Sequence, residues 1–159
     1  MKPNLNELLK VFLGLDIEFV IIGGFAAALH GSSMVTRDLD LCFLLTPQNI
    51  DKLRSSLRDL NPKLRINPEK LSFLTHPETN QGFKNLYLET DLGIVDIVSI
   101  VTGVGEFSVV AADAEVIELF GYRVKIMSTQ HLIASKKALG RPKDILVVQE
   151  IEEILKKRS

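Results

Sequence analysis

The chain has 159 residues, enough for one domain that buries most of its apolar surface without disulfides, a bound metal or a partner. Hydrophobic residues make up 46% of the sequence and charged residues 25%, which excludes the low-hydrophobicity, high-charge composition of disordered chains. The formal net charge of -1 excludes a strongly basic protein whose overall field would drive nonspecific binding to nucleic acid, so any RNA contact is expected to be local.

The cysteine content and the apolar segments predict where the protein resides. Cys42 is the only cysteine in the sequence, so it cannot form an intramolecular disulfide. No positively charged start leads into an apolar signal segment. The longest apolar run near the start, residues 19–28, contains Gly23 and Gly24 and is too short to cross a bilayer. We therefore expect a cytoplasmic protein with no membrane segment.

The first sixty residues predict two helix and strand units. Asn4 followed by Glu7 resembles a capping box, and leucines and Phe12 then recur at helical spacing. Residues 17–22 are a β-branched and aromatic run that predicts a strand, a turn at Gly23-Gly24 and an alanine-rich helix over 25–30. The pattern then predicts a strand over 39–45 and a helix from Thr46-Pro47 to about residue 60.

The rest of the chain predicts further strands and two final helices. Residues 61–70 are polar and predict a loop, and the strands expected after it lie at 71–75, 85–89 and 94–101. A hairpin around Gly121, a helix from Ser128 to about 139 and an amphipathic helix over 142–156 complete the chain. These elements predict a single α/β domain over residues 1–159, in which a mixed sheet is flanked by helices.

Asp38 and Asp40 are the first candidates for chemistry. Side chains alternate along a strand, so these two carboxylates face the same side while Leu39 and Leu41 face the other. Two like charges this close raise the pKa of one of them unless a cation neutralises the pair, and a hard divalent ion does so well. The alternative is a solvated start of a strand, which an isolated Asp-x-Asp does not exclude.

Asp96 lies within the apolar run IVDIV at residues 94–98. An unpaired carboxylate buried there would cost several kcal/mol, roughly the penalty for any unsatisfied buried polar group, so Asp96 needs a partner. A neighbouring strand could bring it beside Asp38 and Asp40 to form a three-carboxylate site open to phosphate oxygens and water. The alternative is a carboxylate that pairs with a buried arginine or lies at a strand edge.

Gly23 and Gly24 lie where a strand passes into a helix. Glycine lets the backbone approach a ligand closely, and free amides at this point offer donors to phosphate. A triphosphate could bind there, although tight turns also require glycine for purely conformational reasons.

Taken in order, these features resemble the nucleotidyltransferase superfamily that includes DNA polymerase beta, especially its minimal and AbiEii-like bacterial branches. The resemblance spans roughly residues 19–144. It rests on four segments, VIIGGFAAALHG at 20–31, TRDLDL at 36–41, IVDIV at 94–98 and LIASKKALGRPKD at 132–144. The implied fold is the nucleotidyltransferase fold.

The resemblance also implies roles for the residues that match. Asp38, Asp40 and Asp96 would bind Mg²⁺ and carry catalysis, Asp96 being the candidate base, and Gly23 and Gly24 would position a nucleoside triphosphate. The remaining nucleotide-binding candidates are Lys136, Arg141 and Asp144, of which the last two could either join the site or organise it. Phe25 follows the second glycine where many members have serine, so Ser32, Ser33 or backbone amides would have to supply that phosphate contact.

Two functions remain open on this basis. The first is Mg²⁺-dependent transfer of a nucleoside monophosphate to a hydroxyl of RNA, a protein or a small molecule. The second is a catalytically silent nucleotide-binding or interaction module of the same fold. Related branches include toxin-antitoxin components, and a homodimer or a separate helical partner protein could supply the acceptor surface that a chain of this size lacks.

Several other polar residues are expected to be structural. His30, His76 and His131 lack zinc-ligand spacing and predict packing or capping roles. Cys42 is expected to be a buried thiol, and Ser128 a helix cap.

Overall fold

The computed structural model describes residues 4–158. The helices are Leu5–Leu13 (α1), Gly23–Leu29 (α2), Pro47–Ser56 (α3), Phe107–Ala112 (α4), Thr129–Leu139 (α5) and Pro142–Arg158 (α6). The strands are Val20–Ile22 (β1), Asp38–Cys42 (β2), Lys63–Leu64 (β3), Asn85–Thr90 (β4), Gly93–Val98 (β5), Ile100–Val101 (β6), Gly105–Glu106 (β7), Glu115–Leu119 (β8) and Tyr122–Ile126 (β9).

The main sheet has seven strands in the order β3-β4-β5-β2-β1-β9-β8, and β6 pairs only with β7. Strand β2 runs parallel to β5, and β1 runs parallel to β9. The other pairs in the main sheet are antiparallel. The expected mixed sheet flanked by helices is therefore confirmed, and β5 lies in the interior of the sheet as its apolar sequence predicts.

The alternation of side chains on β2 and β5 gives the centre of the sheet one apolar and one polar face. Leu39 and Leu41 of β2 and Val95 and Ile97 of β5 are fully buried. They belong to a core cluster that includes Leu8 and Phe12 of α1 and Ile50 and Leu53 of α3. Burying each such aliphatic side chain contributes roughly 1.5–3 kcal/mol, so this face fixes the register of the two strands.

The first helix and the first strand follow the sequence pattern with shifted boundaries. Asn4 caps α1 by accepting a hydrogen bond from the Glu7 amide at 3.1 Å. Strand β1 is shorter than the predicted 17–22, and α2 begins at Gly23 instead of Phe25, so the glycine pair forms the first turn of the helix. Thr46 caps α3, which ends at Ser56 and is followed by a 3-10 turn over Arg58–Leu60.

The strand predicted over residues 71–75 is wrong. Only an isolated bridge joins Ser72 to Lys63, and the amides of Thr75 and His76 both donate to the Ser72 carbonyl, which curls the segment into a turn. Pro77 follows at once and has no amide to donate to a ladder. The edge strand forms instead as β3, within the segment predicted to be a loop.

The strand predicted over 94–101 is divided at Ser99, whose amide and hydroxyl both donate to the Lys84 carbonyl. Beyond it, the short β6–β7 hairpin and α4 were not predicted, because each is too short to produce a periodic pattern. The final hairpin, the Ser128 cap on α5 and the last helix are confirmed, and Gly140 ends α5 in the left-handed conformation with φ of 66°. Within residues 4–158, no helix is long and apolar enough to cross a membrane.

Gly103 lies in the turn of the β6–β7 hairpin and packs closely against Ala134 and Ala138 of α5. Its φ is +80°, and a Cβ there would lie 2.7 Å from the Ala138 Cβ and 2.8 Å from the Ala134 carbonyl oxygen. Gly121 has a similar φ of +82° but no atom within 4 Å of the corresponding position. We expect Gly103→Ala to lower the free energy of unfolding by roughly 1–3 kcal/mol more than Gly121→Ala, because only Gly103 adds overpacking to backbone strain.

Urea unfolding of the two variants measures this difference. Equal losses of stability in both would contradict the close packing of this hairpin against α5.

Candidate active site

Three aspartates share the polar face at the centre of the sheet. Asp40 of β2 lies directly opposite Asp96 of β5 in the parallel register, and Asp38 lies two residues earlier on the same face of β2. All three are half-buried and line one cavity. The juxtaposition expected from the sequence is therefore present, and it follows from the pairing of these two strands.

Burial and neighbouring negative charge disfavour the ionised form of Asp40. Burial, followed by the charges of Asp96 and Asp38, raises the pKa of Asp40 to about 7, against the opposing effects of Lys136 and Arg65. Burial also raises the pKa of Asp96, although its hydrogen bond with Arg65 acts in the other direction. A carboxylate in this position gains a great deal from a nearby cation.

Arg65 is a residue of the site that sequence reasoning missed. It lies one residue after β3, and its Nη2 donates to Asp96 Oδ1 at 2.7 Å and to Oδ2 at 2.6 Å. The only signal in the sequence was the requirement that Asp96 have a partner, for which a buried arginine was one alternative. Nothing in the sequence identified Arg65, because the short edge strand that positions it was not predicted.

The side chains of Asp38, Asp40 and Asp96 are not arranged as three ligands of one metal ion in this structure. Among residues 4–158, no group of three or more histidine, cysteine, aspartate or glutamate side chains is placed to hold a metal ion. Asp96 is turned to its hydrogen bonds with Arg65, which leaves Asp38 and Asp40 as the pair without a bound guanidinium.

The cavity in front of the aspartates has a volume of about 740 Å³, within the usual range for pockets that bind small molecules. Its lining is divided by charge, with the three carboxylates on the β2 and β5 side and basic side chains from α5, α6 and the segments before β2 and α6. The buried carboxylate of Asp144 lies among the basic side chains. The basic lining residues are Arg37, Lys136, Arg141 and Lys143. A ligand with both an anionic part and an associated cation would match both sets of charges.

Asp144 contacts two of the basic side chains of the cavity. It is fully buried, and it accepts hydrogen bonds from Arg141 Nε at 2.6 Å and Arg141 Nη2 at 3.2 Å. Lys136 Nζ lies 3.4 Å from Asp144 Oδ1, the oxygen that also accepts from Arg141 Nη2. Burial would raise the pKa of Asp144, but the hydrogen bonds from Arg141 and the charge of Lys136 lower it. These contacts hold both cations beside Asp144, which itself lines the cavity, and whether Asp144 organises the site or joins it stays a prediction.

Gly23 allows Asp40 to sit against the start of α2. Its φ is +67°, and a Cβ there would lie 3.1 Å from both Cβ and Cγ of Asp40. Gly24 lines the cavity, and a Cβ at that position would lie 3.1 Å from Thr36 Oγ1. Gly23 therefore lies against the Asp40 carboxylate, where backbone conformation and space both require glycine, and Gly24 lies in the cavity wall beside Thr36.

Solved structures share this architecture at low sequence identity. The lincosamide antibiotic adenylyltransferase LnuA, solved with lincomycin bound, has a TM-score of 0.65 and 17% identity, with 94% of this chain and 95% of that chain covered. An antigenic nucleotidyltransferase-like protein from Paracoccidioides brasiliensis has a TM-score of 0.57 and 17% identity, with 95% and 75% covered. The chain has the nucleotidyltransferase fold. ANT(2")-Ia, in complex with adenylyl-2"-tobramycin, has a TM-score of 0.53 and 14% identity, with 94% and 91% covered.

Similarity is detected in structure only, since the sequence matches no protein-family model and none of the curated proteins. The expected nucleotidyltransferase fold is thus confirmed by structure, whereas placement in the AbiEii-like branch stays a prediction.

Within the nucleotidyltransferase fold, the two serines considered as phosphate ligands have other partners. Ser32 Oγ donates to Glu150 Oε1 at 2.6 Å, and Ser33 donates to Glu150 Oε2 through its amide at 3.0 Å and its hydroxyl at 2.6 Å. Glu150 belongs to α6, so this contact ties the segment before β2 to the last helix. In this structure the two serine hydroxyls are engaged by Glu150, and a phosphate contact from Ser32, Ser33 or backbone amides stays a prediction.

The residues expected to be structural have structural contacts. His30 is buried with Nε2 2.7 Å from the Met127 carbonyl oxygen, and Ser128 accepts from the His131 amide at 3.1 Å as the cap of α5. Cys42 is a buried free thiol whose pKa is raised to about 11 by burial.

The close approach of Gly23 to Asp40 predicts the effect of adding a methyl group. Gly23→Ala is expected to lower the free energy of unfolding by roughly 1–3 kcal/mol, because φ is unfavourable and the Asp40 side chain must move. Gly14→Ala is the matched control, since a Cβ there would meet only ordinary contacts of 3.6 Å. Thermal and urea unfolding compare the two, and equal stability of the variants would refute the contact with Asp40.

The buried Asp144 predicts a loss of stability in acid. Its pKa is lowered in the folded protein, so its stabilising contribution is present above the unfolded pKa of about 3.9 and is lost as the pH falls through the lower folded value. Asp144→Asn should therefore cost roughly 1–3 kcal/mol at neutral pH and less in acid.

Urea unfolding of the native chain and Asp144→Asn, from neutral pH to about pH 2, gives this difference at each pH. A difference that stays constant, or grows in acid, would show that Asp144 is not held ionised by Arg141 and Lys136.

Proposed function

We propose that this chain is a nucleotidyltransferase that moves a nucleoside monophosphate from a triphosphate to a hydroxyl group of a small-molecule acceptor. The observation that carries the proposal is the divided cavity, with Asp38, Asp40 and Asp96 on one side and Lys136 and Arg141 on the other. A triphosphate with an associated Mg²⁺ ion has the same division of charge. The shared fold with adenylyltransferases supports the reaction class.

The carboxylate side fits Mg²⁺ through Asp38 and Asp40. These two side chains leave one face of β2 together, and burial and the charges of Asp96 and Asp38 raise the pKa of Asp40, so a bound cation would favour its ionised form. Oxygen ligands from carboxylates and phosphates are those that Mg²⁺ prefers. Bound there, the ion would neutralise charge that develops on the phosphate oxygens.

The basic side is proposed to hold the phosphates. Asp144 restricts Lys136 and Arg141 to one region of the cavity, so part of the ordering cost of binding is met before the ligand arrives. Lys136 is mostly buried, with 11% of its side chain exposed, and its attraction for an anion is correspondingly less screened by water. Gly23 and Gly24 leave room for a phosphate to approach the backbone.

In the proposed reaction, an acceptor hydroxyl oxygen attacks the α-phosphorus and the bond from that phosphorus to the bridging oxygen breaks, releasing pyrophosphate. Asp96 is proposed to receive the hydroxyl proton on its carboxylate. It lies across the strand pair from Asp40, within the same cavity lining. Each bond formed has a bond broken, and no redox partner is required.

A small acceptor is favoured by what two structures of the same fold contain. LnuA was solved with lincomycin bound, and ANT(2")-Ia with adenylyl-2"-tobramycin. RNA and protein acceptors, a toxin-antitoxin role, and a homodimer or helical partner protein rest on the sequence resemblance alone. We therefore place the small hydroxylated molecule first.

A silent nucleotide-binding module is the second candidate, and one observation favours it. Both oxygens of Asp96, the proposed base, accept hydrogen bonds from Arg65, so an acceptor hydroxyl would have to compete with Arg65 for them. Such a module would bind the triphosphate without transferring it.

Binding of the triphosphate tests what both candidates require. Calorimetric titration with each nucleoside triphosphate, with and without Mg²⁺, should show Mg²⁺-dependent binding in the native chain. Asp38→Asn/Asp40→Asn should weaken that binding at least about tenfold, equivalent to 1.4 kcal/mol. The matched control is Asp51→Asn/Asp59→Asn, which removes two exposed carboxylates that do not line the cavity.

No binding of any triphosphate, or equal weakening in both double variants, would overturn the proposal. Binding without release of pyrophosphate in the presence of hydroxylated antibiotics of the lincosamide and aminoglycoside types would favour the silent module.

A further inference from the structure

Arg65 contacts both oxygens of Asp96, the third carboxylate of the candidate site. A single nitrogen, Nη2, lies between both carboxylate oxygens at 2.7 and 2.6 Å. The edge of Asp96 that could chelate a metal is therefore occupied by a protein cation. Side-chain exposures of 27% for Arg65 and 17% for Asp96 place this pair largely out of bulk water, where an ion pair is screened less than at the surface.

Arg65 is held in place by the edge of the sheet. Its amide donates to the Tyr87 carbonyl at 3.0 Å, and its guanidinium carbon lies 5.7 Å from the centre of the Tyr87 ring. Tyr87 is itself the partner of Asp96 in the antiparallel β4–β5 register. Arg65 follows β3 directly and is bound to the Tyr87 backbone, so its side chain reaches Asp96 across β4. The pairing of the strands therefore positions the ion pair.

The charges of the site then balance in a specific way. Three carboxylates carry three negative charges when ionised, and Arg65 neutralises one of them at Asp96. Asp38 and Asp40 have no ion pair among the described residues, although the charge of Lys136 also acts on Asp40, and two neighbouring carboxylates suit one divalent ion. A second divalent ion at Asp96 would lie beside a guanidinium, and like charges at that distance repel each other.

We propose that Arg65 is the internal counter-ion of Asp96 and limits the site to one divalent cation, held by Asp38 and Asp40. Arg65 is then a positioning residue, which keeps Asp96 out of the metal's coordination shell and on the side of the acceptor. This inference rests on the proposed function for the existence of the metal site, but it makes a separate statement about which carboxylates ligate the ion.

Titration with Mn²⁺ alone, followed by electron paramagnetic resonance of the free ion, tests this without any assay of transfer. The native chain should bind one Mn²⁺. Asp40→Asn should weaken its binding at least about tenfold. Asp96→Asn should change it less than about threefold, because Asp96 is not a ligand.

Removing the counter-ion should change that pattern. Arg65→Met should bind a second Mn²⁺ or bind the first at least about tenfold more tightly, and this gain should disappear when Asp96→Asn is added. Arg65→Lys should behave as the native chain, since it keeps the positive charge.

Arg54→Met is the matched control for removing a half-buried arginine. Like Arg65, Arg54 lies over an aromatic ring, with its guanidinium carbon 4.9 Å from the centre of Phe73. The Nε atoms of both arginines are buried without a hydrogen-bond partner. It does not line the cavity, so its loss should leave Mn²⁺ binding unchanged. Thermal unfolding of all variants identifies any that fail to fold, and the comparison of Asp96→Asn with Asp40→Asn in the native background does not depend on the arginine variants.

The outcomes separate this inference from the proposed function. Two outcomes would overturn the inference and leave the metal site standing. In the first, Asp96→Asn weakens Mn²⁺ binding as much as Asp40→Asn, so Asp96 is a ligand. In the second, Arg65→Met leaves both stoichiometry and affinity unchanged, so Arg65 does not exclude Asp96 from the metal. If neither the native chain nor Arg65→Met binds Mn²⁺, the metal site of the proposed function fails and the inference fails with it.

Discussion

The parallel pairing of β2 with β5 is the constraint on which the site depends. It places Asp40 opposite Asp96 on one face, while Leu39, Leu41, Val95 and Ile97 enter the core on the other. A shift of one residue in either strand would bury its carboxylates among leucines and expose its core side chains. The stability of the apolar face therefore maintains the polar face, although the carboxylates repel one another.

Balancing the resulting negative charge accounts for much of the surrounding structure. Arg65 binds Asp96 from the edge of the sheet, and the charge of Lys136 opposes the rise in the Asp40 pKa that burial and the neighbouring aspartates cause. Asp144 in turn holds Lys136 and Arg141, so the basic side keeps its shape without a ligand. Positive charge is thus available on both sides of Asp38 and Asp40, and a ligand that brings a cation of its own would complete the balance between them.

The fold of this protein and its proposed activity are supported by different observations. The likeness to LnuA and ANT(2")-Ia shows a common fold at 17% and 14% identity. Activity is inferred from the residues in the cavity, because one fold can support several functions and the chemistry belongs to the site. The Arg65–Asp96 pair is the feature that most clearly separates the two candidate functions. If Arg65 acts only as a counter-ion of Asp96, the site can bind one metal ion and carry out transfer. If Arg65 prevents Asp96 from acting as a base, the site can bind a nucleotide but not transfer it.

The sequence by itself determined the order of the main elements, the mixed sheet, the facing of Asp38 and Asp40 and the need of Asp96 for a partner. These follow from local rules, namely alternation along strands, helix caps such as Asn4 and Ser128, and the cost of burying a carboxylate. Only the tertiary structure decided which partner Asp96 takes, that Asp144 contacts Lys136 and Arg141, and that Ser32 and Ser33 bind Glu150. Those contacts join residues that are distant in sequence or lie at the ends of elements, and the edge strand just before Arg65 is two residues long, too short to leave a periodic pattern in the sequence.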